Sequence, residues 1–233
     1  MVQFFFPVIA VLSFGPALLL LYISLSRYTW PRTDKPYFDD RWIFGLLAVG
    51  IIVGAVFAYI EELTAVGGGI VFVILFVAIQ QLLVLVILNY PRVRRKGSGR
   101  FYGYSLGTSI AAGVALGEYG IVFSGAASFN IPTLLVLVVY TFGIELLGGA
   151  TGSIIGYGIE SGTASRGTAY AILLQAVFNV IMIPVFSFRP SALTMLFDIS
   201  ALAISVAVYL AVLTRLLPRE LIAPGAARSK RLM

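Results

Sequence analysis

The chain has 233 residues, of which 60% are hydrophobic and 11% charged, with a mean hydropathy of +1.00. Soluble domains are roughly half apolar and a quarter charged, so this composition requires lipid as solvent. It contains neither cysteine nor histidine, which excludes disulfides, thiolate and imidazole metal ligands, thiol nucleophiles and histidine acid–base chemistry. The formal net charge is +6, but the basic residues sit in short connecting segments with no aromatic-interleaved face, a pattern that excludes nucleic acid as partner.

Apolar runs long enough to cross about 30 Å of hydrocarbon occupy residues 3–26, 43–61, 68–90, 102–125, 131–158, 165–187 and 191–216. The first has no basic segment before it and no clear small-residue cleavage site, and reads as a retained span rather than a signal peptide. The fifth is overlong: it is either one tilted helix or a helix broken near Gly148 and Gly149, which would add an eighth segment. The expected fold is an all-α polytopic transmembrane bundle over residues 1–217, followed by a short basic tail over 218–233 suited to anionic lipid headgroups.

Fifteen of the sixteen basic residues fall in the first, third and fifth loops and the tail; only Arg189 falls on the opposite side. The positive-inside rule therefore places the C-terminus in the cytoplasm and, with seven spans, the N-terminus outside, in a multi-pass protein of the cell membrane. No tandem or inverted repeat of the transporter kind is visible.

Small residues recur at four-residue spacing at Gly113 and Gly117, and at Gly148, Gly152 and Gly156. Such stripes let helix backbones approach closely, which matters in lipid because apolar side chains gain nothing by leaving it for one another.

Polar side chains inside spans are costly and default to the bundle interior. At 1.5 Å per residue, Gln80 and Gln81 lie about 18 Å into the third span, Glu118 about 24 Å into the fourth, Glu145 about 21 Å into the fifth and Gln175 about 15 Å into the sixth. Asn179 shares a helix face with Gln175, and Asp198 lies early in the seventh span. These depths allow one interior polar cluster of Gln80, Gln81, Glu118, Glu145, Gln175 and Asn179. Such a cluster could bind helices together, hold a cation or relay protons. Glu118, Glu145 and Asp198 are the candidate catalytic set if the protein is a carboxylate-dependent protease. Glu61 and Glu62 read as solvated carboxylates at the outer boundary.

Several stretches carry a resemblance. They are Pro16-Ala17-Leu18-Leu19-Leu20-Leu21-Tyr22, Asp34-Lys35-Pro36, Gln80-Gln81-Leu82-Leu83-Val84 before the basic Asn89-to-Arg95 segment, Tyr104-Ser105-Leu106-Gly107 leading to Gly117-Glu118-Tyr119, Gly148 to Gly156, and Gln175-Ala176-Val177-Phe178-Asn179. In this order, over roughly residues 16 to 187, the chain resembles the PrsW family of intramembrane metalloproteases. Against that family's pattern, Glu118 is retained, the glutamate pair is replaced by Gln80 and Gln81, and Gly148 and Gln175 stand at histidine positions. A hydrolytic zinc site needs about three nitrogen, sulfur or carboxylate ligands and an open position for water. The resemblance therefore implies a catalytically inactive relative with no metal or cofactor, acting as a scaffold, partner-binding protein or subunit of a membrane complex. An active protease and a proton or cation pathway are the alternative readings.

Overall fold

The computed structural model describes residues 2–29, 37–64, 69–95, 97–125, 131–187 and 191–218. The described residues form helices α1 (Val2–Leu25), α2 (Asp40–Thr64), α3 (Gly69–Asn89), α4 (Pro91–Arg94), α5 (Gly99–Gly125), α6 (Ile131–Glu160), α7 (Ala164–Ser187) and α8 (Ala192–Ala211). A 3₁₀ turn over Ser26–Tyr28 extends α1, and a π-helical turn over Val212–Leu216 extends α8. Seven of these helices are long and apolar enough to cross a membrane, and α4 is a single turn in the basic third connection. Hydrocarbon supplies no hydrogen-bond partner, so each apolar run closes its backbone bonds within its own helix. The seven spans place the two ends of the bundle on opposite sides. The end that carries every arginine among the described residues is called the basic face below, and the other the far face.

The fifth span is one helix of 30 residues, continuous through Gly148 and Gly149, so no eighth membrane segment arises there. Its glycines face a neighbouring helix instead of interrupting their own. All but the first residue of the tail lie outside the described residues.

Helix α5 is the axis of the bundle. It is the least hydropathic of the seven spans and the most buried, with an unbroken buried run from Arg100 to Ala115. Helix α3, the most hydropathic, is the least buried. In lipid this inversion is expected, because outer positions must match the acyl chains while interior positions must allow close approach.

Small residues set α5 between two partners. Toward α6, a Cβ at Gly103 would run into the Gly152 carbonyl oxygen and one at Gly107 into that of Gly148. Toward α2, a Cβ at Gly113 would run into the Ile51 carbonyl oxygen, and one at Gly117 into Ala58 Cβ. Gly156 meets the carbonyl of Gly99 in the same way.

Polar ties concentrate near the basic face. Arg100 is 1% exposed; its backbone N–H donates to Glu160 Oε1 at 3.1 Å, its Nη1 donates to the Leu216 carbonyl at 3.1 Å, and its Nε lies 3.8 Å from Glu160 Oε2. One side chain thus joins the starts and ends of α5, α6 and the α8 extension. Further in, Ser24 Oγ lies 2.8 Å from both Tyr104 Oη and Tyr209 Oη, linking α1, α5 and α8. The segment before α2 is held by Ser98 Oγ donating to the Tyr37 carbonyl at 2.6 Å and by Phe38 packing on Phe101.

Candidate functional site

The far half of the bundle is looser, because α3 does not follow α2 back into close packing. It lies mainly on α7, with lighter contact to α5 and α6, and meets α2 chiefly where Phe76 touches Phe57 edge to face at 5.9 Å. The separation leaves a cavity of about 560 Å³ between α2, α3, α5, α6 and α7. Pockets for small molecules commonly measure about 300–1,000 Å³.

Each helix contributes a stripe set by helical periodicity. Helix α3 turns Phe72, Phe76 and Gln80 to the cavity, and α5 turns Val114, Glu118 and Val122. Helix α7 adds Asn179, Met182, Ile183 and Phe186; α2 adds Phe57, Glu61 and Glu62; α6 adds Tyr140 and Ile144. Glu61 and Glu62 are the charged neighbours of Glu118, and no lysine or arginine is among the lining residues. Tyr140 packs against Phe186 edge to face at 5.0 Å and has Glu118, Glu61 and Asp198 as its charged neighbours.

The structure divides the polar residues that sequence depth grouped together. Gln80, Glu118 and Asn179 line the cavity. Gln81 and Gln175 are 3% and 2% exposed, lie outside its lining, and each leaves Oε1 without a hydrogen-bond partner among the described residues. Adjacent positions on a helix point about 100° apart, which is why Gln80 and Gln81 part company.

Glu145 is fully buried outside the lining, and neither of its carboxyl oxygens has a hydrogen-bond partner among the described residues. Asp198 is also buried outside it, with Oδ1 unpartnered. Glu118 lines the cavity and Glu145 and Asp198 do not, so the three candidate catalytic carboxylates do not share that lining. Among the described residues no three Asp or Glu side chains approach one point closely enough to hold a metal ion.

At the positions quoted for the family resemblance, Gln80 and Glu118 share the cavity and Gln175 does not. Gly148 is pressed against the Gly107 carbonyl, where a Cβ would lie 2.6 Å from the oxygen, so this packing has no room for a larger side chain. No family model, curated protein or solved structure matches the chain.

Sequence reasoning missed the cavity's acidic mouth and its aromatic walls. Glu61 and Glu62, which read as solvated carboxylates at the outer boundary, also line the cavity with Glu118; Glu62 is exposed and Glu61 half-buried. The Phe72, Phe76 and Gln80 stripe was a usable signal, since four-residue spacing puts an amide and two rings on one face. Chemically the arrangement is an acidic, aromatic-walled chamber in the far half of the membrane domain.

Proposed function

We propose that the chain is a catalytically inactive, PrsW-like multi-pass protein of the cell membrane that works by binding other membrane proteins, as a scaffold or as a subunit of a larger complex. Its tail lies in the cytoplasm on this reading, by the distribution of basic residues. The observation that carries it is the dispersal of the interior carboxylates: Glu118 lies in the cavity, while Glu145 and Asp198 are buried outside its lining. Water activation by a carboxylate pair or a metal needs ligands or bases converging within a few ångströms, and dispersed acids do not provide it. The amides at Gln80 and Gln81 keep the size and hydrogen-bonding capacity of glutamate without its charge, in keeping with a retained bundle and a lost reaction.

The test is elemental mass spectrometry on protein purified under mild conditions from its native membrane, with co-purifying chains identified in the same sample. Less than about a tenth of an equivalent of zinc together with a constant partner chain supports the reading. About one equivalent of zinc, or a membrane substrate whose cleavage stops in Glu118→Gln, overturns it.

A further inference from the structure

The cavity combines features that scaffold binding does not require. It has the volume of a small-molecule site, its charged lining residues are all acidic, and its walls include Phe57 and Phe76 at the gap between α2 and α3. Tyr140 also lines it, although the residue as a whole is only 6% exposed. Glu118 and Glu61 are among its acidic neighbours. A phenol that lines a cavity can present its hydroxyl oxygen to a ligand atom there.

From these observations we infer that the cavity binds the head of a cationic amphiphile, an amine or quaternary ammonium with an apolar tail. The head lies against Glu118 with Glu61 nearby. The faces of the phenylalanine rings attract the same charge through their quadrupoles, and the Tyr140 hydroxyl directs its oxygen lone pairs to the head. The tail leaves between α2 and α3, where the two helices are in light contact and both border lipid. Charge complementarity selects this occupant. A zwitterionic phospholipid would bring its phosphate against Glu61, Glu62 and Glu118, and an anionic one would meet only repulsion. The inference goes beyond the scaffold reading and stands whether or not a partner chain binds elsewhere on the bundle.

The experiment is equilibrium dialysis of radiolabelled dodecyltrimethylammonium against the full-length protein in maltoside micelles, with protein-free micelles subtracted. Dodecylphosphocholine, which carries the same ammonium beside a phosphate, serves as competitor. The expected result is saturable binding near one equivalent, weakened about tenfold or more by Glu118→Gln, because a charged partner is lost. Dodecylphosphocholine should not displace the probe at equal concentration, and Glu145→Gln, outside the lining, should bind as the unaltered protein does. Should Glu118→Gln not fold, Glu61→Gln and Gln80→Lys decide: the first removes one negative charge from the cavity and the second adds a cation, and both must weaken binding. Non-saturable uptake, equal binding by these variants, or equal displacement by dodecylphosphocholine overturns the inference.

Discussion

Gly103 of α5 and Gly152 of α6 face each other so closely that a Cβ on either would run into the other's carbonyl oxygen. Their contact is the middle rung of a ladder that includes Gly107 with Gly148 and Gly99 with Gly156. With both helices in lipid, the attraction available to them is packing at short range, and any added atom separates them.

Gly152→Ala is therefore expected to destabilise the bundle by about 1–3 kcal/mol, the usual cost of overpacking a filled interior. Gly120, on the same α5 helix, has open space where its Cβ would go, so Gly120→Ala should instead stabilise by up to about 1 kcal/mol through helix propensity. Reversible unfolding in mixed micelles with increasing dodecyl sulfate measures both. Equal effects from the two substitutions would show that the α5–α6 approach is not tight.

Arg100 and Glu160 form a buried ion pair whose partners are 1% and 7% exposed. Arg100→Met leaves the Glu160 carboxylate without its counter-charge and is expected to cost about 3–5 kcal/mol. Adding Glu160→Gln to that variant should restore a large part of the loss. A double variant as unstable as the single one would mean that Arg100 acts through its bond to the Leu216 carbonyl rather than through charge.

Glu145 has no partner for either carboxyl oxygen among the described residues and is fully buried. Glu145→Leu, which is apolar and of similar size, should raise stability by about 1 kcal/mol or more in the same unfolding assay. A fall in stability would reveal a partner outside the described residues.

The absence of cysteine allows orientation to be read from single introduced thiols. Ser165 at the basic face and Ala192 at the far face are both exposed. In intact cells a membrane-impermeant maleimide should label Ala192→Cys, and should label Ser165→Cys only after permeabilisation. The reverse pattern would mean that the distribution of arginine and lysine does not orient this chain.

The membrane spans were legible at the level of single segments. The apolar runs expected at 43–61, 102–125 and 191–216 became Asp40–Thr64, Gly99–Gly125, and Ala192–Ala211 with its extension to Leu216. Hydropathy is scored by one segment against one solvent, and no neighbour is needed to evaluate it. The basic-residue asymmetry is equally local, since it depends on which loop holds each charge. Depth along a helix could also be counted from the sequence, and Glu118 and Asn179, placed deep in their spans by that count, both line the cavity.

Rotation and partnership could not be counted that way. Gln80 and Gln81 have the same depth, yet one reaches the cavity and the other does not. Glu118 and Glu145 are both deep carboxylates, but one joins Glu61 and Glu62 while the other is buried outside the cavity lining. Sequence by itself determined an all-helical membrane bundle with seven spans, because that property follows from each segment's transfer from water. Which faces meet was decided only in the tertiary structure. In lipid an apolar side chain is equally content against a neighbour or an acyl chain, so no hydrophobic stripe in the sequence records the choice. That choice was set by the close approach of α5 to α2 and α6 and by the separation of α3 from α2.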